Sequence, residues 1–173
     1  ALLEVIAKGE EQGVPDEARS CLMALAEQLD LVKRQILEMD RRVLAWHRAS
    51  SLSRSLEGIP GVGPLISTAL VASVPDPKVF RSGRDLSAWI GLVPKQNSSG
   101  GKEKLGGISK AGNRYLRQLL VVGALAVIRR AKQLGYTRHP WLVKLMERRS
   151  AKVAAVALAN KVARIAWAMM ARN

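Results

Sequence analysis

From position 22 the apolar residues Leu22, Leu25, Leu29, Val32, Ile36, Met39, Val43 and Trp46 follow one another at alternating steps of three and four. This is a heptad seam, with Leu22, Leu29, Ile36 and Val43 at a and Leu25, Val32, Met39 and Trp46 at d. Neither Gly nor Pro interrupts residues 16–57. Pro15-Asp16-Glu17 suits a helix start, because acids favour the positive end of the dipole. The pattern predicts one helix of about 40 residues, on the order of 60 Å long. A single stripe on so long a helix has too little local core to lie on, so it is expected to pair with another helix. Self-pairing into a homodimer or higher homo-oligomer through this coiled-coil arm is the favoured arrangement. A hairpin back onto a short helix over 2–13, ended by Gly13, is the other.

The pattern changes at Gly58. The run Gly58-Ile59-Pro60-Gly61-Val62-Gly63-Pro64 opens an apolar helix that begins Leu65-Ile66-Ser67-Thr68-Ala69-Leu70. A Gly-hydrophobic-Gly tripeptide permits a tight hairpin and brings backbone N–H groups close to a ligand. The run resembles the helix-hairpin-helix of sequence-independent DNA-binding proteins, and a plain helix–turn–helix corner is the alternative. Binding here would be to the sugar–phosphate backbone and would weaken with salt, with Gly61, Val62 and Gly63 as contacts.

Residues 84–92 read as a short helix with Leu86 and Trp89 toward the core. Residues 94–109 have neither helical nor strand period and hold Gly100, Gly101, Gly106 and Gly107 among polar residues, so they are expected to form a mobile loop. A helix follows to about Gln133, burying Leu116, Leu119, Leu120, Gly123, Ala124 and Val127. A short helix begins near Pro140, and Ser150 is placed to cap a final alanine-rich helix over 151–171. The sequence thus predicts an all-α chain: an arm over 1–57 and a compact helical domain over 58–173.

Charge supports that division. The net charge is +14, but residues 1–50 carry 7 Lys/Arg and 9 Asp/Glu, while residues 51–173 carry 21 and 5. A basic excess confined to the second part calls for a polyanion, and nucleic acid fits better than a membrane because no amphipathic basic helix has an aromatic face. The longest apolar run, 119–128, is too short to span a bilayer. The single cysteine, Cys21, allows no internal disulfide, and no Cys/His cluster has zinc spacing. A reducing, cytoplasmic setting is expected. The chain opens on Ala1, which suggests a fragment whose remainder lies upstream.

Candidate chemistry concentrates at Asn97-Ser98-Ser99-Gly100-Gly101-Lys102, with Lys104, Lys110, Arg114 and Arg117 following. A free serine hydroxyl is a weak nucleophile, and the sequence suggests no Ser–His–Asp set to activate it. Clustered cations could stabilise a pentavalent phosphorane instead. The residues themselves leave three readings open: attack on a phosphodiester, a phosphate clamp, or a solvated loop.

A family resemblance bears on that choice. IPGVGPLISTALVASV (59–74) and RSGRDLSAWIGLVPKQNSSGGKEKLGGISKAGNRYLRQLLVVGA (81–124) are similar, in order and spacing, to the C-terminal part of bacterial insertion-sequence transposases of the "one-ten" family, to which Piv-like DNA invertases are related. The resemblance covers about 58–172 and implies a two-part recombinase. An N-terminal RuvC-like domain, absent here, would hold magnesium through four acidic residues, and no metal or cofactor is expected in this part. A structured guide ("bridge") RNA would pair with donor and target DNA. A serine would form a covalent phosphoserine link to DNA. Gly91-Leu92-Val93-Pro94 sets the register that places this nucleophile at Ser99, with Ser98 as the alternative. The resemblance thus implies that this part binds nucleic acid but does not recombine DNA alone.

Overall fold

The computed structural model describes residues 15–96, 105–134 and 140–172. It divides into two compact units, 1–45 and 46–173, so the second begins at Trp46, ahead of the glycine used to place the boundary. As the pattern predicts, the described residues are predominantly helical, with one small two-stranded ribbon.

Helix α1 runs Asp16–Ala49, with Asp16 and Glu17 in its first turn. Arg34 pairs with Asp30, and Arg42 Nε lies 3.0 Å from Glu38, each acid four residues N-terminal to its base in the favourable order. The seam residues Leu22, Leu25, Leu29, Val32, Ile36 and Met39 are exposed, Leu25 to 60%. The expected uninterrupted helix to 57 does not form. Ser50 leaves the helical region (φ −93°, ψ 112°), and its Oγ accepts the Ser53 N–H, capping a new helix, α2 (Ser51–Leu56). A serine hydroxyl in such a run competes with the continuing helix for the backbone amide.

Within the second unit, a polar network joins α2 to α3 (Pro64–Ser73). His47 Nδ1 lies 2.8 Å from Ser53 Oγ and 3.2 Å from Ser67 Oγ, and its Nε2 lies 3.0 Å from Glu57. This is a Ser–His–carboxylate set that the sequence reading did not expect. Ser53 and Ser67 are fully buried, however, so the set has no access to a substrate and acts in packing.

A 3₁₀ turn, Pro77–Val79, leads to α4 (Gly83–Ile90). Ser82 caps α4 through Asp85 N, and Gly91 ends it at φ +83°. Gly91 N donates to Ala88 O and Leu92 N to Ser87 O, the paired bonds of a Schellman ending. Leu86 is buried as expected. Trp89 is not: it stays 39% exposed, its ring tilted against Phe80 at 5.6 Å.

The region expected to lack strands contains two, β1 (Pro94–Gln96) and β2 (Leu105–Ile108), paired antiparallel with Pro94 opposite Ile108 and Gln96 opposite Leu105. Three and four residues are too short to show a period of two, so the pairing was not visible in the sequence. Helices α5 (Arg114–Leu134), α6 (Pro140–Arg148) and α7 (Ala151–Arg172) complete the unit.

The core lies among α3, α4, α5 and α7. Leu56, Leu70, Leu86, Ile90, Leu116, Leu120 and Leu142 are essentially inaccessible there. Helix α7 contributes Ala154, Ala155, Ala159, Ala163 and Ala166, all fully buried, and these small side chains let helix axes approach closely. By length and composition α7 is the one described helix long and apolar enough to cross a membrane. In this unit its apolar face is part of the core. Polar bonds fix it further: Asn160 Nδ2 donates to Leu92 O at 3.1 Å, and Trp167 Nε1 to Pro77 O at 3.0 Å.

Candidate nucleic-acid interface

The two strands stand on a neck built by glycine. Gly91 (φ +83°) and Gly112 (φ +80°) lie on its two sides. A Cβ on Gly91 would meet Ala111 O at 2.0 Å, and one on Gly112 would meet Trp89 O at 1.6 Å. No other residue lets the two backbones approach so closely in that conformation. Hydrogen bonds then lace the gap. Lys110 N donates to Gly91 O, Asn113 N to Trp89 O, and Ser109 N to Val93 O at 2.8 Å. Lys110 itself takes a left-handed φ of 57°, unusual for a side chain with a Cβ.

Arg117 completes the neck. Its Nη1 donates to Ile90 O at 2.7 Å and to Ala111 O at 3.2 Å, tying the end of α4 to the turn after β2. One guanidinium nitrogen therefore serves the protein's own carbonyls and helps to position the neck. Asn113 Oδ1 accepts Leu116 N and caps α5. Ser109 Oγ is buried and makes no hydrogen bond with the described residues.

Lys110 and Arg114, which the sequence offers as nucleic-acid contacts, stand at the foot of the neck. Both are exposed, and neither pairs with a described carboxylate. The first turn of α5 holds no acid. A helix that opens on an arginine at its positive end concentrates positive potential, which an anion relieves. Ser98, Ser99, Lys102 and Lys104 lie outside the described residues. They belong to the segment that covalently joins Gln96 of β1 to Leu105 of β2.

The glycine tripeptide divides its roles. Gly61 (φ +85°) packs on α5: a Cβ there would lie 2.8 Å from Gly123 O, and one on Gly123 would lie 2.2 Å from Gly61 O. Val62 is only 4% exposed, and its N–H donates to Ile59 O, so its side chain is packed and its amide is taken within the turn. Gly63 differs from both. It is the N-cap of α3, has no side-chain cap, and a Cβ there would meet nothing within 4 Å. Of the three, Gly63 keeps the open approach the sequence reading gave to all. Among the described residues no group of three or more His, Cys, Asp or Glu side chains converges.

The architecture is that of a basic, all-helical domain which carries a polar, glycine-rich segment on a locked two-stranded neck. Comparison with known proteins gives this class a family. Residues 53–139 match the model of the transposase IS116/IS110/IS902 family, and the chain belongs to that family. A putative transposase of Sinorhizobium fredii is 43% identical over 172 residues, 98% of this chain and 44% of the relative. The transposase for insertion sequence element IS1111A of Coxiella burnetii is 41% identical over 171 residues, 99% of this chain and 47% of its own length. At greater distance, the pilin gene-inverting protein of Moraxella bovis is 28% identical over 133 residues, 73% of this chain and 38% of that protein. The chain spans about half the length of the curated relatives it matches.

Sequence reasoning missed the neck. Its signal was present as single glycines outside both strands, at 91 and 112, and as an arginine one turn into α5.

Proposed function

We propose that this chain is the nucleic-acid-binding, strand-joining part of a DNA transposase, with Ser99, or Ser98, as nucleophile. The observation that carries this reading is the neck. Gly91 and Gly112 fix the two ends of the serine-bearing segment against α4 and α5, with Lys110 and Arg114 exposed at its foot. A rigid base under a polar, glycine-rich segment suits a group that must be aimed at a phosphodiester.

The chemistry balances as a transesterification. The serine oxygen bonds to phosphorus, one P–O bond to a DNA strand breaks, and the serine proton leaves with the released strand's oxygen. Attack by a hydroxyl of another strand then reverses the step and restores the serine. One phosphate ester is exchanged for another, so no external energy source is needed. Charge gathers on the non-bridging oxygens of the phosphorane, where Lys110 and Arg114, together with Lys102 and Lys104, supply compensation. Pairing with a guide RNA, a homodimer or higher assembly through the arm, and a metal-holding upstream domain complete the proposal. They rest on the family resemblance and on the exposed seam of α1.

The test uses the complete protein with Ser99→Ala and Ser98→Ala. The expected result is that recombination and the covalent protein–DNA adduct vanish with one of the two substitutions while binding survives. Weakened binding with residual recombination would instead make the segment a phosphate clamp.

A further inference from the structure

On α4, α6 and α7, outside the neck, a groove of about 840 Å³ is lined by Arg84, Lys161, Arg164, Trp141, Trp167 and Ser82, among others. No acidic residue lines it, and none of its three cations pairs with a described carboxylate. Beside it lies a smaller, mainly apolar cavity of about 300 Å³ that includes Ile59, Val127, Leu158 and Val162. Trp141, Lys161 and Ile165 line both spaces, so the indole stands where they meet.

The local sequence explains why these groups converge. Lys161 and Arg164 are three apart on α7 and share a face. Gly83 opens α4, and a Cβ there would lie 3.0 Å from Arg164 Cα and O, so its absence lets α4 seat on α7 and brings the neighbouring Arg84 to the same side. Trp141, at the start of α6, remains 42% exposed although its helix is anchored by the buried Leu142. The Lys161 ammonium sits over the ring, 4.5 Å from the indole centroid, and helps to hold it in place, while the exposed remainder of the indole lines the groove.

We propose that this groove binds an unpaired nucleotide of a DNA or RNA strand. The base stacks on Trp141 at the edge of the apolar cavity, and the flanking phosphates rest on Arg84, Lys161 and Arg164. Cations alone would suit any polyanion. It is the exposed indole between a basic groove and an apolar cavity that selects a strand with a free base over a duplex, whose bases are stacked within. The site is distinct from the serine segment and rests on the nucleic-acid reading of the chain without needing its chemistry.

The experiment titrates the chain against fluorescein-labelled twelve-nucleotide single strands of thymidine and of uridine, and against a duplex of equal length, by anisotropy at several salt concentrations. Trp141→Ala is expected to weaken single-strand binding by roughly 5- to 150-fold, with Trp141→Phe keeping most of it and the duplex affected little. Arg84→Ala and Arg164→Ala should each reduce the salt slope by about 0.7. Thermal melts check folding. As an independent readout, a strand carrying 5-iodouracil should crosslink on irradiation to Trp141. Tighter binding of DNA or of RNA identifies the source of the strand, and either supports the site. Unchanged single-strand affinity in Trp141→Ala, with the crosslink elsewhere, overturns it. So does an acidic peptide of equal charge that shows the same loss on Trp141→Ala. None of these results bears on Ser98 or Ser99, whose adduct assay stands or falls separately.

Discussion

Gly61 and Gly123 meet backbone to backbone, so that a single methyl on Gly123 would lie 2.2 Å from Gly61 O. Two glycines 62 positions apart therefore act as one packing feature between the turn before α3 and the middle of α5. Gly123→Ala should destabilise the chain by about 1–3 kcal/mol, the usual cost of overpacking, and lower its melting temperature by several degrees. Gly63→Ser, which meets open space and can supply the missing cap, should leave the melt unchanged or slightly raised. Circular dichroism melts of the two variants check this. Equal effects would mean that the tripeptide does not divide its roles as described.

The neck predicts a local rather than a global defect. Gly112→Ala forces a methyl into the Trp89 carbonyl, so the strands and the turn after them must separate from the end of α4. Amide exchange at Ser109, Lys110 and Asn113, whose N–H groups lace the gap, should accelerate well beyond that of Leu116 or Leu120 in the core. Uniform acceleration across the unit would point to general unfolding instead.

Arg117 and Arg114 lie one turn apart on α5 and should part company on mutation. Arg117→Lys keeps the charge but cannot reach two carbonyls with one planar group, so it should raise exchange in the neck while leaving the salt slope of DNA binding close to that of the parent. Arg114→Ala should lower that slope by about 1 and spare the neck. Salt titrations with a duplex oligonucleotide separate the two roles.

The buried cluster around His47 should be costly to open. His47→Ala removes the partner of two fully buried hydroxyls and leaves a cavity between α2 and α3, for an expected loss of about 2–4 kcal/mol. Urea unfolding measures it. A loss below about 1 kcal/mol would mean that Ser53 and Ser67 satisfy each other unaided.

The exposed seam of α1 should drive association. Sedimentation of the chain at micromolar concentration is expected to show a dimer or larger species. The double substitution Leu29→Glu and Ile36→Glu, at successive a positions, should shift it to monomer with no change in the second unit's melt. A monomeric parent chain would remove coiled-coil pairing from the proposal.

Much of this molecule was legible in its sequence, and the reasons are local. The heptad steps of α1 and the apolar spacing of α5 are signals of period that act within a few residues. Asn160, a polar residue within an apolar helix, bonds to Leu92 O. What escaped reading depends on residues far apart. Nothing near Val62 says that its amide is already taken, and nothing near Arg117 says that it will grip the end of α4. The break at Ser50 escaped for another reason: a hydroxyl competing for a backbone amide costs so little that composition cannot decide it. Trp89 was placed inward by helix period, but the neighbouring Phe80 gives it an aromatic partner at the surface.

Helix α7 touches the rest of its unit largely through methyl groups. The alanines on that inner side are fully buried, so a larger side chain at any of them would have to displace its neighbours. The outer positions are under no such restriction, and exchanging Lys161 or Arg164 leaves the interior undisturbed. Substitution on the outer side of this one rod can therefore change the charge that the unit presents while its packed interior stays as it was.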